Sequence, residues 1–293
     1  MSRPLVGRTL APWRLGVVTL LGAAAACGPG PRASADGGPG ADARVDAGGG
    51  LDSRPIEYSR VYAHGNGNLY RIDTQTFQPQ LIGPITGLMG GESLTDIAID
   101  KNDLAIGITL SRLYTIDLDT GAATLLNGDL AVDGFTSLSF VPLDLDDLDS
   151  DERLVAVSDQ GEVYQLNPAT GAATLLGSYG SIGEATIRSS GDIVAISGIG
   201  IYATVTIGDN LAAPDYLAEI DPVTWAADTL GSGTGYDRIF GLGFWAGKFF
   251  GFVDTNPGGK LIELDFGGNA IERDSGSIRW FGAGVATDAP VID

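Results

Sequence analysis

Apolar residues in this chain come in short, strand-length runs, each closed by Gly, Pro, Asp or Asn. One version of the pattern, LYTIDLDTGAATLLNG at 113–128, returns along the chain. It recurs as LYRIDTQTFQPQLIG (69–83), VYQLNPATGAATLLGS (163–178), LAEIDPVTWAADTLG (217–231) and, more loosely, LIELDFGGNAIERD (261–274). From Asp73 through Asp117, Asn167 and Asp221 to Asp265 the steps are 44, 50, 54 and 44 residues. Leu113, Tyr114 and Ile116 place apolar groups on both faces of a strand, as a sheet sandwiched between two others requires. Asp117 then opens a tight loop by accepting backbone N–H groups, and Gly121 supplies a positive φ before the strand returns. A strand–turn–strand unit at this period predicts a β-propeller. Phe77 and Trp225 stand where Gly121 and Gly171 do, so their loops are expected to close differently.

The remaining runs fill in the blades. Candidate innermost strands are 94–100, 135–141, 184–188, 240–245 and 282–288; candidate second strands are 60–65, 104–109, 154–159, 192–197 and 248–253. The repeat supplies the two outer strands. The first ordered run lacks an inner strand and the last has no blade of its own. The economical solution is that 282–288 completes the blade begun at 60–83, closing a ring of five four-stranded blades and removing both edges. In this alignment Ala98, Ser139, Thr186, Gly243 and Ala286 form a column of mostly small residues, which suits strands converging on an axis. The fold class is all-β, and the propeller domain is 57–293.

The N-terminal segment reads differently. Arg3, Arg8 and Arg14 precede LGVVTLLGAAAA (15–26), a run too short to span a bilayer and of export-signal character. It ends Ala24-Ala25-Ala26-Cys27-Gly28, which resembles the lipobox of bacterial lipoproteins. The resemblance implies lipidation of Cys27, which would become the mature N-terminus, and Gly28 after it leans toward an outer membrane. Residues 27–56 have no aromatics and very few aliphatics, so they are expected to be a disordered tether. Its flexible reach is roughly 30 Å. This gives three segments: 1–26 signal peptide, 27–56 tether and 57–293 propeller.

Composition narrows the partners. There are 37 acidic and 17 basic side chains, and loss of the three N-terminal arginines makes the imbalance larger. Such a surface repels phosphate backbones and anionic lipid, so nucleic acid is excluded as a partner and the membrane enters through the lipid anchor alone. One cysteine and one histidine preclude a disulfide framework and a Cys/His metal cluster. A lone His64 before GNGN lacks any serine motif that would make it a nucleophile's base.

Candidate chemistry sits at the inner-strand level one step before the small column: Asp96, Ser137, Glu184, Gly241 and Gly284. These residues are expected to ring the mouth of the central funnel, with Tyr179, Tyr236, Arg238, Trp280 and Arg279 on the flanking loops. Carboxylates beside aromatic faces suit a glycan, a cation or a protein partner; equally, Asp96 and Glu184 cap strand starts or bond channel water. Asp147, Asp149 and Asp151 in the acidic run 141–154 match the start of a calcium loop, although Glu152 and Ser158 break its register and leave a solvated acidic loop as the other reading. No other cofactor is implied.

Over 57–293 the chain resembles exported bacterial β-propellers built from LYxIDxxTGxxTxLG units. The resemblance implies a fold and an extracytoplasmic address, and is silent on activity. The expected function is a monomeric, lipid-anchored, non-catalytic envelope module that binds a glycan or protein. The alternative is a glycoside-active enzyme using Asp96 and Glu184 as its two carboxylates.

Overall fold

The computed structural model describes residues 59–291. The chain divides into two units, Met1–Asp52 and Ser53–Asp293. The first lies wholly outside the described residues, and with it the expected signal segment, Cys27 and most of the tether.

The described residues fold into five antiparallel sheets and no α-helix. Blade 1 contains β1 (Val61–Gly65), β2 (Asn68–Ile72) and β3 (Pro79–Pro84). Blade 2 is β4 (Asp96–Ile99), β5 (Ala105–Ile108), β6 (Leu113–Ile116) and β7 (Ala123–Asn127). Blade 3 is β8 (Phe135–Pro142), β9 (Glu152–Ser158), β10 (Glu162–Leu166) and β11 (Ala173–Ser178). Blade 4 adds a two-residue strand: β12 (Ser181–Ile182), β13 (Ala185–Ile196), β14 (Gly200–Ile207), β15 (Tyr216–Ile220) and β16 (Ala227–Thr229). Blade 5 is β17 (Ile239–Trp245), β18 (Lys248–Asp254), β19 (Gly259–Leu264) and β20 (Ala270–Gly276).

The last strand, β21 (Trp280–Val285), pairs with β1 and completes blade 1. Closure therefore comes from chain ends distant in sequence, as the unpaired first and last runs require. The inner strands β21, β4, β8, β13 and β17 follow one another around the ring. Their side chains, and those of the second strands, are buried on both faces, so the core lies between blades.

Blade 4 departs from the expected layout. Residues 184–188 and 192–197, read from sequence as an inner and a second strand, belong almost entirely to one strand, β13, which shifts register between Ser189 and Ile193. The run IYATVTI at 201–207 is the second strand β14. The connection that follows is therefore only 208–215. The cause is the bulge: three residues, Ser190-Gly191-Asp192, interrupt the pairing in a way that resembles a turn between two runs.

The cross-strand pairs fix the true alignment. Opposite the second strand's small residues Gly107, Ala156, Ala203, Gly251 and Ala63 lie Ile97, Leu138, Ile193, Leu242 and Ala283. One step earlier come Asp96, Ser137, Asp192, Gly241 and Gly282. Asp192 takes the place expected for Glu184, and Gly282 that of Gly284. In the small column, Val194 and Gly284 replace Thr186 and Ala286.

The repeat's turns are more uniform than their sequences. Asp73, Asp117, Asn167 and Asp221 each accept two nearby backbone N–H groups on Oδ1 at 2.6–3.1 Å. In each, the N–H of the fourth residue on (Phe77, Gly121, Gly171, Trp225) donates to the backbone carbonyl of the first at 2.7–2.8 Å. Phe77 and Trp225 thus close the same turn as the glycines, held at φ of 60° and 64°. That conformation is strained for a bulky side chain. What offsets it is contact with the preceding blade: Phe77 packs on Phe250 under Arg273, and Trp225 is buried under Arg153. The glycines serve the same joint by being small, since a Cβ on Gly171 would fall 2.4 Å from the Asp129 carbonyl of the blade before.

Candidate functional site

At the inner level of the ring each strand turns one backbone N–H toward its neighbours. Asp96 Oδ1 accepts the N–H of Ile97 on its own strand at 2.9 Å, and Oδ2 that of Leu138 on the next blade at 2.7 Å. Asp192 repeats this two blades on: Oδ1 accepts Ile193 N–H at 2.6 Å and Oδ2 accepts Leu242 N–H at 2.5 Å. The Ala283 amide adds a smaller contribution to Asp192. Two carboxyl groups thereby serve the backbone donors of all five inner strands.

Both groups are shut from solvent, at 0 % and 1 % exposure. Burial raises the pKa of each well above the usual carboxylate range, and for Asp96 the neighbouring Asp192 raises it further. The two carboxyls hydrogen-bond each other, so the pair holds a proton between them and one negative charge is avoided in the low-dielectric axis. Ser137, between them in the column, bonds Ser189 Oγ at 2.6 Å.

Of the column's two glycines, Gly282 leaves room for a carboxyl side chain, while Gly241 lies against Ala283 of the next blade. A Cβ on Gly282 would fall 2.5 Å from His64 Nε2 and 2.6 Å from Asp96 Oδ1. His64, the chain's single histidine, therefore lies beside the carboxyl pair, paired across the strands with Gly282. It is buried, its Nε2 has no hydrogen-bond partner among the described residues, and burial lowers its pKa to about 4. The ring is neutral at physiological pH.

A further buried carboxylate anchors the bulge of blade 4. Asp215 accepts Ser190 Oγ at 2.5 Å, Thr206 Oγ1 at 2.6 Å and the Ile239 N–H at 2.9 Å, binding blade 4 to blade 5. Burial raises its pKa to about 6 against the pull of those donors.

Around the mouth, on the face formed by the loops entering the inner strands, arginines are paired. Arg279 holds Asp254 through Nε and Nη2 at 2.8 and 2.9 Å, and this bond keeps the Asp254 carboxyl below its ordinary range. Arg238, at φ 54°, lies 3.4 Å from Asp237 and 3.5 Å from Asp254. Arg188 bridges Asp159 and Asp209, and Arg112 meets Glu92. Half-buried Tyr236 lies under the Lys260 ammonium, 5.3 Å from its ring centre.

The structure scatters the residues expected at the funnel. Asp96 and Ser137 are on the axis and sealed. Glu184 is exposed on the turn between β12 and β13, so Asp96 and Glu184 do not meet as an acid–base pair. Tyr179 and Trp280 are core residues; Trp280 packs edge-on against Tyr70 and Phe252. Tyr236 and Arg238 remain on the accessible rim. In the acidic loop, Asp144 and Asp147 turn their carboxylates onto the amides of Asp146 and Asp149, closing turns. Asp147, Asp149 and Asp151 do not gather into a metal site: among the described residues no three carboxylate, imidazole or thiol groups are placed to hold an ion.

Sequence reasoning missed Asp192 and His64. A usable signal existed, for DIAI at 96–99 and DIVAI at 192–196 share an Asp-Ile step at the axial level of an inner strand.

No protein-family model and no curated protein matches the chain. Solved structures similar to it include a chain of a nidogen/laminin complex, at 14 % identity and TM-score 0.48, covering 78 % of this chain and 98 % of that one. A putative TolB from Agrobacterium tumefaciens aligns at 14 % identity and TM-score 0.41 over 77 % of this chain and 80 % of its own. An auxiliary nutrient binding protein from Bacteroides thetaiotaomicron aligns at 12 % and 0.41 over 74 % of this chain and 57 % of its own.

Proposed function

We propose that the chain is an exported envelope lipoprotein, anchored through Cys27 and tethered by 27–56, whose propeller binds a glycan or protein on its funnel face without chemistry. The observation that carries this reading is the consumption of the axial carboxyls. Asp96 and Asp192 spend their oxygens on backbone N–H groups and on each other, in a site without solvent access. A glycoside-cleaving site needs two carboxyls open to a sugar, and the one aligned pair the sequence offered, Asp96 with Glu184, is split between axis and surface. What the face presents instead is a rim of paired arginines and carboxylates with Tyr236 among them. Fixed polar groups of that kind recognise hydroxyls or a complementary protein surface.

The test is a glycan panel and an envelope-extract pull-down with wild type beside a Tyr236→Ala, Arg238→Ala double variant, reading retention and cleavage products together. Retention without products, weakened in the variant, is expected. Cleavage products from the wild type would overturn the non-catalytic reading. The anchor is read separately: acyl label should partition with membranes in wild type and be absent from Cys27→Ala.

A further inference from the structure

The opposite face of the ring carries a cleft between blades 3 and 4. Its volume is about 440 Å³, within the range of small-molecule sites. One wall is the end of β8 and the loop after it, Val141 to Asp146. The other is the β13–β14 turn at Gly198-Ile199 and the outer turn Pro222-Val223. The Gly198 N–H donates to the Leu145 carbonyl at 2.7 Å and fastens the two walls together. The cleft is thus built by the fold, between elements tied by a backbone bond.

Arg153, on β9, lines this cleft, and its state is unlike that of Arg273, the other arginine held over the ring of a repeat-turn residue. At the joint between blades 5 and 1, Arg273 lies 5.1 Å over the Phe77 ring and is neutralised by Glu263 at 2.8–2.9 Å. At the joint between blades 3 and 4, Arg153 lies 4.8 Å over the Trp225 ring with no hydrogen bond or ion pair among the described residues. Its Nε is fully buried, and desolvation lowers its pKa. A guanidinium held on an aromatic face, partly stripped of water and left unpaired in so acidic a chain, is prepared for an oxyanion. Trp225, which supports it, is the residue that replaces glycine in the strained turn; such outliers gather at ligand clamps.

The same cleft is lined by carboxylates that do not close on Arg153. Asp144 uses Oδ1 for the Asp146 amide, and the Asp146 carboxylate has no partner among the described residues. Between these opposite charges the lining is aliphatic, and Val223 and Leu143 are exposed there. A simple anion would meet Asp144 and Asp146, and a simple cation would meet Arg153. A ligand carrying both charges around an apolar side chain satisfies all three parts.

We propose that this cleft binds a zwitterionic aliphatic α-amino acid or short peptide, with its carboxylate on Arg153, its ammonium toward Asp144 and Asp146, and its side chain on the Leu143–Val223 surface. The site lies across the ring from the funnel face and does not depend on what that face binds.

The experiment is calorimetric titration of the purified full chain with four probes: L-leucine, the dipeptide Leu-Leu, 4-methylpentanoate and 3-methylbutylamine. Saturable binding of leucine or the dipeptide is expected, with the two single-charge probes at least tenfold weaker. Whichever of leucine and the dipeptide binds more tightly identifies the source of the zwitterion. Arg153→Gln should weaken binding at least tenfold. Because Arg153 also packs on Trp225, a second variant, Val223→Asp at a cleft-lining position that is 81 % exposed, should weaken it as well while leaving the unfolding midpoint unchanged. Absence of binding by both zwitterions at about 10 mM, a concentration that would detect even millimolar affinity, overturns the proposal. So does 4-methylpentanoate binding as tightly as leucine, or an affinity unchanged in Arg153→Gln.

Discussion

Replacing Asp192 by alanine should be among the most costly single changes available to this fold. The substitution removes the acceptor for the Ile193 and Leu242 amides, bonded at 2.6 and 2.5 Å, and weakens the environment of the Ala283 amide. These donors lie at the centre of the ring, where Asp192 itself is 1 % exposed and water has no ready route to replace it. Leaving a buried donor unsatisfied costs about 1–3 kcal/mol, so two give about 2–6 kcal/mol. Against this stands relief from burying a carboxyl group, which is limited because the pair already shares a proton. A net loss of about 3–5 kcal/mol follows. Asp192→Asn keeps one acceptor oxygen but turns an amide N–H onto a backbone N–H, and should lose about half as much. Urea unfolding followed by tryptophan emission reads the effect, since Trp225, Trp245 and Trp280 lie in blades 4, 5 and 1. With a slope near 2–3 kcal/mol/M, the alanine variant's midpoint should fall by about 1–2 M at unchanged slope. Glu184→Ala, at the exposed position the sequence favoured, should stay within about 0.5 kcal/mol of wild type. A loss below about 1 kcal/mol for Asp192→Ala would falsify the reasoning, because it would mean the axial amides do not depend on the carboxyl.

Other consequences follow from the same geometry. The single histidine gives an unambiguous proton NMR titration: its ring signal should stay flat from pH 8 to pH 5 and move only near pH 4, and a midpoint near 6.5 would show that His64 is not buried beside the pair. Because its folded pKa lies below the unfolded value, His64 contributes stability that is present above about 6.5 and lost as pH falls toward 4, up to roughly 3 kcal/mol. Asp215 acts in the opposite sense. Its raised pKa favours the fold below the unfolded value and the benefit is lost as pH rises to about 6, so Asp215→Asn should flatten the stability–pH curve between those limits. Trp225→Gly relieves the left-handed strain at φ 64° but empties a buried ring, so calorimetry should show a net loss of about 2–4 kcal/mol; a gain would mean the ring's contact with Arg153 contributes little.

The outer half of each blade was legible in the sequence because its signals are local. Asp117 to Gly121 forms a turn from neighbours within five positions, and the same geometry repeats at Asn167 to Gly171. Ring closure was legible because an unmatched first strand and an unmatched last one admit a single economical pairing. Blade 4 was not, for a bulge and a turn look alike in one dimension: Ser190-Gly191-Asp192 reads as a break, and only the pairing of Ile193 with Ala203 shows that the strand continues. That one misreading moved Glu184 onto the axis and Asp192 off it. Trp280 and Tyr179 were misplaced for a different reason, since flanking a loop says nothing about which way an aromatic ring turns.

The repeats are alike at the rim and unlike at the axis, and packing explains the difference. At the rim four of the five blades meet the preceding blade through the same turn, so the residues there are under a repeated constraint. At the axis five strands compete for one space, and five identical side chains could not fill it. The solution is a division of labour around the column: carboxyls at Asp96 and Asp192, a small hydroxyl at Ser137 between them, and glycines at 241 and 282, the first pressed against Ala283 of the next blade and the second leaving room for Asp96 with His64. Asp96 and Asp192 each reach one blade forward for a second amide, which is possible only where the blade ahead offers serine or glycine. The asymmetry is therefore required by the closure of the ring. Exchanging the roles, as in Asp96→Gly combined with Gly241→Asp, should fail to fold even though it preserves composition, because the new carboxyl at 241 would meet Ala283, whose Cβ lies 2.9 Å from where its own Cβ must go. A soluble, cooperatively unfolding product from that double variant would show that the axis tolerates any arrangement of two carboxyls.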